Sequence, residues 1–325
     1  MAASRNKPFP DLPARVGEFL AARLPGAVTR LCVGLSGGCD SVVLLHLLAN
    51  SRWSGQLSAM HVHHGLSPNA DRWSDFCGDI CGELGIPLKI AHVAVPENSP
   101  EGLEAAARAQ RHAALSGCGA DVLLLAHHRG DQAETVLFNL LRGAGVTGAA
   151  GIPVARSVAG VTTLRPLLDV SRASIETYAV AQGLNWIEDE SNADQRFSRN
   201  FLRHSVVPGL TRRFPAAEAM LAQSAGHFAE ADALLGDLAS LDWLTVAADG
   251  ENAAMAALRT LSPLRLKNLL RWRLRVLGWR TPSASRLDEF ARQLLSAGPD
   301  RHPSLDLPDG CMGVSGRHLR WLPVA

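Results

Sequence analysis

Residues 31–45 read LCVGLSGGCDSVVLL, and the prediction of the fold starts from them. An apolar run typical of a buried strand is interrupted by SGGCDS and then resumes as an apolar helix. Two adjacent glycines allow a sharp turn in which successive N–H groups converge, and the start of the following helix presents its unpaired N–H groups at the same point. The stretch therefore predicts a strand, a loop and a helix that together bind phosphate.

The loop is distinct from the two commonest phosphate-binding motifs. It lacks the Gly-Lys-Ser/Thr of the Walker motif and the Gly-x-Gly-x-x-Gly of dinucleotide-binding folds. Ser36 and Ser41 can add hydroxyl donors, and Asp40 stands where a carboxylate can hold Mg²⁺. The hexapeptide resembles the PP-loop of the N-type ATP pyrophosphatases, which cleave ATP between its α- and β-phosphates. The resemblance implies that the ATP-binding residues are Ser36, Gly37, Gly38, Cys39, Asp40 and Ser41.

Length and composition are those of a globular protein with more than one domain. The 325 residues are 47% hydrophobic and 19% charged, with a net charge of +1. The six cysteines form no Cys-x-x-Cys pair, and the start of the chain has no signal-peptide pattern. No apolar run approaches the ~20 residues of a membrane span. We therefore expect free thiols in a reducing compartment, a cytoplasmic location and no membrane partner.

Strands and helices alternate through the first part of the chain, which predicts an α/β fold: a parallel sheet with helices on both faces. Polar clusters follow three of the predicted strands, at residues 36–41, 63–64 and 127–131. Ligands of such sheets bind at the carboxyl ends of the strands, so the three clusters predict one site. The predicted strands after the first are Leu57–Val62, Leu88–Val95, Val122–Ala126 and Thr163–Leu168. The predicted helices are Val16–Leu24, Ser41–Ala49, Asn69–Leu84, Gly102–Leu115, Gln132–Leu141 and Ser171–Gln182, with a loop over 143–160.

The rest of the chain is predicted to form a smaller, mostly helical C-terminal domain. We place the boundary near the prolines at 208 and 215, with domains at 1–212 and 213–325. Turn signals over His302–Leu322 predict a terminal hairpin. The predicted helices of this domain are Ala216–Ala247, Pro263–Leu277 and Ser285–Leu295.

Asp131 and Glu134 lie three residues apart at the start of a predicted helix, so their carboxylates share one face. Acidic residues in a first helical turn are also favoured by the helix dipole alone. Because the pair is predicted to lie beside the phosphate loop, we favour a functional role, in binding either Mg²⁺ or an ammonium group. Asp40 and Asp131 are the predicted Mg²⁺ ligands.

Arginine and histidine residues complete the predicted nucleotide site. Arg108 and Arg111 share a helix face and could stabilise charge on a phosphorus under attack, although a solvated face with a Glu104–Arg108 pair explains them equally well. The adjacent histidines at 63–64 and 127–128 lack partners at zinc-like spacing. We therefore predict contacts to nucleotide or substrate, with His63 and His127 as ATP ligands.

Two basic clusters indicate contact with RNA. One includes Arg196, Arg199, Arg203, Arg212 and Arg213, with Trp186 and Phe197 available for stacking on bases. The other runs from Arg259 to Arg280, with seven Lys or Arg residues, no acid, and two tryptophans. Such runs are often solvated faces. The closeness of the first cluster to the predicted site favours RNA, and we expect no DNA partner.

A series of motifs in fixed order is similar to that of the tRNA(Ile)-lysidine synthetase family, strongly over residues 30–210 and weakly beyond. The resemblance implies a PP-loop, adenine-nucleotide alpha-hydrolase-like fold. It also implies that ATP adenylates the C2 oxygen of the wobble cytidine in the CAU-anticodon isoleucine tRNA, after which free L-lysine displaces AMP to give lysidine. The matching stretches are Ser36–Ser41, His61–Leu66, Glu104–Arg108, Ala126–His128, Asp131–Thr135, Leu141–Gly143, Arg165–Leu168 and Glu188–Arg203.

Roles follow from the same resemblance. Asp131 and Glu134 would lie by the metal or receive the lysine ammonium, and Arg108 or Arg111 would stabilise charge at the α-phosphate. The implied tRNA contacts are Asn192, Arg199, Asn200 and Arg203.

This sequence departs from the family pattern at three points. Gly130 stands where a second acid is common, His112 stands where Tyr is common, and we expect a single C-terminal domain, as in shorter members. The last departure leaves open how methionine tRNA is rejected.

Two other functions remain open at this stage. A PP-loop tRNA thiolase uses the same phosphate loop, but such enzymes usually carry Cys-x-x-Cys pairs. An RNA- or nucleotide-binding module without catalysis is the alternative from a different class. Retention of Asp40, Asp131 and Glu134 together argues against it.

Overall fold

A computed structural model of the chain describes residues 11–24, 29–96, 102–158, 160–189, 198–298 and 301–324. The chain forms two compact units, Met1–Phe228 and Ala229–Ala325. This division falls inside a single long helix, Ala217–Val246, so the boundary predicted after residue 212 stays a prediction. In the described part of the chain, no helix has both the length and the apolarity that crossing a membrane requires.

The first unit alternates strands and helices as the sequence predicts. Its strands are β1 Leu31–Gly34, β2 Leu57–His63, β3 Leu88–His92, β4 Val122–Leu124, β5 Ala155–Val158 and β6 Val161–Leu164. Its helices are α1 Leu12–Ala21, α2 Cys39–Ala49, α3 Ala70–Glu83, α4 Leu103–Ser116, α5 Arg129–Leu141, α6 Val146–Ala149, α7 Arg172–Ala181, α8 Ser198–Phe201 and α9 Val207–Arg213, and α10 Ala217–Val246 begins here. A π-helical turn, Leu202–Val206, joins α8 to α9.

The strands form one sheet in the order β3-β2-β1-β4-β6-β5. The chain leaves β1 for β2 on one side and returns to β4 on the other side, so the strand order reverses between β1 and β4. A crevice at the carboxyl ends of the strands is expected at such a reversal. The loops that follow β1 and β4 therefore flank the expected ligand site.

The predicted α/β class is confirmed, with one correction to the sheet. The sequence predicts parallel strands throughout and a loop over 143–160, whereas that segment contains α6 and β5, and β5 runs antiparallel to β6. Gly160, with φ of +83°, lies in the tight connection between the two strands. Strand β5 has only four residues at an edge of the sheet, which is too short to show a clear alternating pattern.

Helix α2 is apolar on every side because it lies within the core. Val42, Val43, Leu44 and Leu45 are all fully buried, together with Leu31 of β1. Four consecutive buried positions cannot all face one neighbour, so this helix is covered on most of its circumference, with Asp40 and His46 partly exposed. The core therefore fixes the position of α2, the helix that begins at the phosphate loop.

The second unit pairs helices with a small antiparallel sheet. Phe290, Leu294, Met312 and Leu319 belong to its common core and are almost completely buried. The sheet has the order β7-β10-β9-β8, so the predicted hairpin is in fact a three-stranded meander extended by β7. The elements are α11 Met255–Leu258, α12 Pro263–Val276, α13 Ala284–Ser296, β7 Ala253–Ala254, β8 Ser304–Leu307, β9 Gly310–Ser315 and β10 His318–Pro323.

Candidate active site

The loop after β1 is held by its own serines. Ser41 Oγ accepts the Ser36 N–H at 3.2 Å and donates to the Gly38 carbonyl at 2.9 Å. Ser36 Oγ in turn accepts the Gly38 N–H at 3.3 Å and lies 3.1 Å from Ser41 Oγ. Gly38 is the N-cap of α2 and has no capping side chain. The loop is therefore pre-shaped, and the first N–H groups of α2 remain available to an anion.

Gly37 is required by its backbone conformation and lies close to a covering side chain. Its φ is +86°, and a Cβ built there would lie 2.7 Å from Ile187 Cδ1. The Ile187 N–H also donates to the Gly37 carbonyl at 2.9 Å. A segment distant in sequence thus closes over the loop, which the sequence pattern did not reveal.

Asp40 lies in the first turn of α2 with one oxygen uncommitted. Its Oδ1 is buried and has no hydrogen-bond partner among the described residues, while Oδ2 lies 3.9 Å from His128 Nε2. Burial raises the pKa of Asp40, and the positive charges of Arg172 and Arg203 offset this only in part. An unsatisfied buried carboxylate oxygen is costly, which marks it as a position for a cation.

His128 connects Asp40 to the acidic pair of α5. The ring Nδ1 accepts the Gly130 N–H at 3.0 Å, and Asp131 Oδ2 accepts the His128 N–H at 3.0 Å, so the two side chains cap α5 reciprocally. His128 Nε2 then lies 3.9 Å from Asp40 Oδ2 and 3.7 Å from Asp131 Oδ2. The predicted meeting of Asp40 and Asp131 at one edge of the sheet is therefore present.

The capping geometry explains Gly130. A Cβ at this position would lie 2.7 Å from His128 Cε1 and 3.0 Å from Nδ1, so any larger residue would displace the ring. The cap also explains why α5 begins at Arg129 rather than at the predicted Gln132.

Arg203 occupies the space between the two acids of α5. Its Nε donates to Glu134 Oε1 at 2.7 Å, and its Nη2 donates to Glu134 Oε2 at 2.8 Å and to Asp131 Oδ1 at 3.0 Å. The arginine lies in the π-helical turn between α8 and α9. Pro208 has no N–H and cannot donate to the carbonyl four residues before it, which favours a widened turn here. The acidic pair is thus a cation site filled by the protein itself.

The two acids of the pair differ in their ionisation. Burial raises the pKa of Glu134, and the hydrogen bonds from Arg203 offset this only in part. Burial also opposes ionisation of Asp131, but the hydrogen bond from the His128 N–H and the charge of Arg203 help to hold its pKa below the ordinary value. Asp131 therefore carries the firmer negative charge.

His127 lies in a strongly positive surrounding. Its Nδ1 accepts a hydrogen bond from Arg165 Nε at 3.2 Å. Burial lowers the pKa of His127 to about 3, and the charges of Arg165, Arg108 and Arg111 act in the same direction. Burial and the same arginines of α4 lower the pKa of His112 to about 4. The predicted Arg108 and Arg111 thus contribute positive potential beside His127.

His63 lies at the end of β2, where its contacts are with Asp71 and His92 rather than with the Asp40–Asp131 pair. Its Nε2 lies 2.9 Å from Asp71 Oδ1, and its ring is 4.7 Å from that of His92. Its role as an ATP ligand stays a prediction. His64 follows, and burial together with the charge of Arg111 lowers its pKa.

The predicted RNA-contacting residues are only partly described. Asn192, Arg196 and Phe197 lie outside the described residues. Arg199 and Asn200 lie half-buried on α8, and the Arg199 guanidinium carbon is 5.7 Å from the centre of the Phe138 ring. Arg142 approaches the same ring to 5.1 Å. Two guanidinium groups and an aromatic ring thus lie together beyond the acidic pair.

The second basic cluster is engaged largely within its own unit. Arg265 pairs with the fully buried Asp242, Lys267 with Asp288, and Arg275 with Asp232. Arg259 donates to the carbonyls of Leu294 and Ala297, and Arg280 lies 3.7 Å from Asp309. Arg273 lies over the Trp243 ring at 4.3 Å. These contacts give most of the cluster a structural role.

Among the described residues, no group of three or more His, Cys, Asp or Glu side chains could hold a metal by itself. The residues present do fit Mg²⁺ bound jointly with phosphate, because that ion usually takes only one or two carboxylates and completes its shell with phosphate and water. The uncommitted Oδ1 of Asp40 supplies one such ligand. Both carboxylate oxygens of Asp131 already accept hydrogen bonds, Oδ1 from Arg203 and Oδ2 from the His128 N–H.

Some contacts of this site were not predicted. His128, predicted only to contact nucleotide or substrate, joins the acids, Arg165 contacts His127, and Ile187 covers the loop. The pair of histidines directly before a predicted helix is the local signal that pointed to His128. Nothing local in the sequence indicates the contacts of Ile187.

Known proteins resemble this chain along both units. Residues 12–210 match the model of a PP-loop domain, and residues 254–320 match that of a TilS substrate binding domain. The tRNA(Ile)-lysidine synthase of Aromatoleum aromaticum is 52% identical over 86% of this chain and 65% of its own length. That of Azoarcus sp. is 48% identical over 94% of this chain and 69% of its own length.

A solved structure supports the fold. The U34-tRNA thiolase NcsA from Methanococcus maripaludis superposes with a TM-score of 0.58 at 19% identity, covering 67% of this chain and 78% of the thiolase. At that identity the likeness establishes the PP-loop fold alone. The curated relatives and the two matched domains establish the family: the chain belongs to the tRNA(Ile)-lysidine synthases.

Proposed function

We propose that this chain uses ATP to attach free L-lysine to C2 of the wobble cytidine in the CAU-anticodon isoleucine tRNA. ATP adenylates the C2 oxygen and releases pyrophosphate, and the lysine amine then attacks C2 and displaces AMP. The proposal is supported by the names of the relatives, which cover most of this chain. The chain spans about two thirds of the length of those relatives, 65% and 69%.

The observation that carries the proposal is the single rim shared by the phosphate loop and three acids. Asp40 lies in the first turn after the loop, and His128 links it to Asp131 through distances of 3.9 and 3.7 Å. Glu134 joins Asp131 through Arg203. A phosphate cradle beside a cation-binding pair suits a reaction that joins a nucleotide-activated base to a cationic amine.

Mg²⁺ would be held by Asp40, with Asp131 as the second carboxylate once Arg203 releases it. The ion would neutralise phosphate charge as pyrophosphate leaves. Arg108 and Arg111 add positive potential beside His127, which suits the charge that develops at the α-phosphate. The two steps require no covalent protein intermediate, since the base oxygen and the lysine amine are themselves the nucleophiles.

Lysine would bind at Glu134, joined by Asp131 where Asp131 does not ligate Mg²⁺. The pair already holds a cationic guanidinium at hydrogen-bonding distance, which supports its capacity for an ammonium group. Arg203 was also predicted to contact tRNA. Pairing with the acids and contacting tRNA are compatible if Arg203 leaves the acids and binds RNA phosphate when tRNA binds. This movement would free the acids for lysine.

A cytoplasmic location is part of the proposal. All six cysteines are free thiols, four of them buried, which suits a reducing compartment where tRNA is modified.

The test is transfer of label from carbon-14 lysine to RNA. The full chain is incubated with ATP, Mg²⁺, labelled lysine and an unmodified isoleucine tRNA bearing CAU, and we expect label in the RNA. Asp40→Asn should abolish it. Asp121→Asn, at the opposite end of β4, should leave it intact because Asp121 pairs there with exposed Arg30. A folded chain that releases pyrophosphate with no label in RNA would refute the proposal.

The same assay separates the alternatives. A binding module without catalysis would retain tRNA affinity but release no pyrophosphate. A thiolase would need a sulfur carrier or an iron–sulfur cluster, and an absorption band of such a cluster in purified protein would favour it.

A further inference from the structure

Arg165 is a buried cation whose side chain contacts a histidine. It is only 6% exposed, and its hydrogen bonds go to His127 Nδ1 at 3.2 Å and to the Pro153 carbonyl at 2.7 Å. Among the described residues no carboxylate pairs with it, although a buried guanidinium ordinarily requires one. Its position directly after β6 places it at the same edge of the sheet as the phosphate loop.

The hydrogen bond from Arg165 determines the protonation of His127. A guanidinium can only donate, so the ring nitrogen that faces it must carry a lone pair. The remaining ring proton therefore lies on Nε2, and His127 is a neutral donor through that atom. An imidazolium could not accept this hydrogen bond.

His127 follows β4 at the strand end next to the phosphate loop. Val33 of β1 pairs with Leu124 of β4, the last pair of the register, and both the start of the phosphate loop and His127 come three residues after these positions. The groups that influence His127 from the surrounding elements are Asp131 of α5, Arg165, and Arg108 and Arg111 of α4. Their net charge is positive.

We propose that Arg165 is a positioning residue that holds His127 as the neutral Nε2–H tautomer, so that His127 donates a hydrogen bond to a phosphate oxygen of bound ATP. The proposal rests on the proposed use of ATP at this site. The uncompensated charge of Arg165 is then balanced in the complex by the anionic nucleotide. Arg165 acts through His127, and no direct contact of Arg165 with the nucleotide is required.

The first test is the tautomer itself. Long-range proton–nitrogen NMR spectra of the nitrogen-15-labelled full chain at neutral pH distinguish the two neutral tautomers and the imidazolium. The spectrum of His127→Gln identifies the His127 signals among the twelve histidines. We expect the Nε2–H pattern in the wild type. An Nδ1–H or an imidazolium pattern would overturn the proposal, and this readout requires neither lysine transfer nor tRNA.

The second test asks whether Arg165 acts through His127. Arg165→Met should lose the single-tautomer pattern and bind ATP about tenfold more weakly, measured by calorimetry with ATP and Mg²⁺ alone. Arg165→Lys keeps one charge but cannot hold His127 and Pro153 together, and it serves as the second variant if the methionine variant does not fold. Arg156→Met is the matched control, since it removes a neighbouring charge that makes no hydrogen bond to His127 and should preserve the tautomer.

The double variant completes the test. If Arg165 acts through His127, then Arg165→Met combined with His127→Gln should bind ATP no more weakly than His127→Gln alone. Additive losses would overturn the proposal. Loss of lysine transfer with the tautomer and the coupling intact would refute the proposed function and leave this inference standing.

Discussion

Arg203 holds the Glu134 carboxylate with two hydrogen bonds, of 2.7 and 2.8 Å. The Glu134 side chain is only 6% exposed, so its charge depends on this partner. Arg203→Met would leave a buried carboxylate uncompensated and raise the pKa of Glu134 further. We expect a loss of about 3 kcal/mol in the free energy of unfolding, measured by urea denaturation at neutral pH.

Two further variants show whether charge is the cause. Adding Glu134→Gln to Arg203→Met should recover part of the loss, because a buried amide costs less than a buried charge. Arg30→Met removes an exposed partner of Asp121 and should leave the midpoint unchanged. Equal stability of Arg203→Met and wild type would contradict the role given to this pair.

The two glycines of the phosphate loop offer a matched comparison. Gly37 has a φ of +86° and lies close to the Ile187 side chain, whereas the contacts of a Cβ at Gly38 begin at 3.5 Å and its φ is −73°. Gly37→Ala should therefore destabilise the protein by about 2 kcal/mol and abolish ATP binding.

Gly38→Ala should stay within about 0.5 kcal/mol of wild type in thermal unfolding. If Gly37→Ala unfolded at the same temperature as Gly38→Ala, Ile187 would have moved to make room for the added methyl group.

Much of this site could be predicted from sequence because it depends on local order. The strand–loop–helix pattern predicted Asp40 at a phosphate loop, and the position of Asp131 after another strand predicted that the two would meet. His128 confirms that meeting at 3.9 and 3.7 Å. The α/β class followed from the same alternation.

Contacts between distant segments could not be predicted. Arg203 meets Glu134 across 69 positions of the chain, and no pattern in a single sequence specifies such a pairing. The cluster from Arg259 to Arg280 was predicted to contact RNA because the acidic residues that pair with it lie elsewhere in the sequence. Asp242 and Asp288 reach it only after folding. Charge counted along a chain therefore overstates the charge that is free on its surface.

Acid should destabilise the first unit through two half-buried histidines. The pKa of His127 is lowered to about 3 and that of His112 to about 4, from an ordinary value of 6.5. Below pH 6.5 the unfolded chain takes up protons that the folded chain refuses, so stability is fully present above that pH and is lost as pH falls toward 3. Each histidine contributes at most about 1.4 kcal/mol per pH unit.

The measurement is urea denaturation at several pH values between ~7 and ~5. Asp40 and Glu134, whose pKa values are raised, act in the opposite direction, so the comparison is made between variants. His127→Gln and His112→Gln should each flatten the pH dependence, and His227→Gln, on an exposed part of α10, should not. If His127→Gln kept the pH dependence of stability of the wild type, the lowered pKa assigned to His127 would be wrong.

Arg199 and Lys267 should differ in their contribution to RNA binding. Arg199 forms no ion pair with a described carboxylate and lies with Arg142 against the Phe138 ring, whereas Lys267 Nζ is 2.9 Å from Asp288. A phosphate contact releases counterions, so its loss reduces the dependence of affinity on salt.

We expect Arg199→Met to weaken binding of the unmodified isoleucine tRNA and to lower the salt slope by about one. Lys267→Met should leave both unchanged, because its charge is already neutralised by Asp288. Filter binding between ~50 and ~200 mM salt measures the slopes. An equal loss of slope in both variants would mean that Asp288 releases Lys267 to RNA, and the structural role of the second basic cluster would then be wrong.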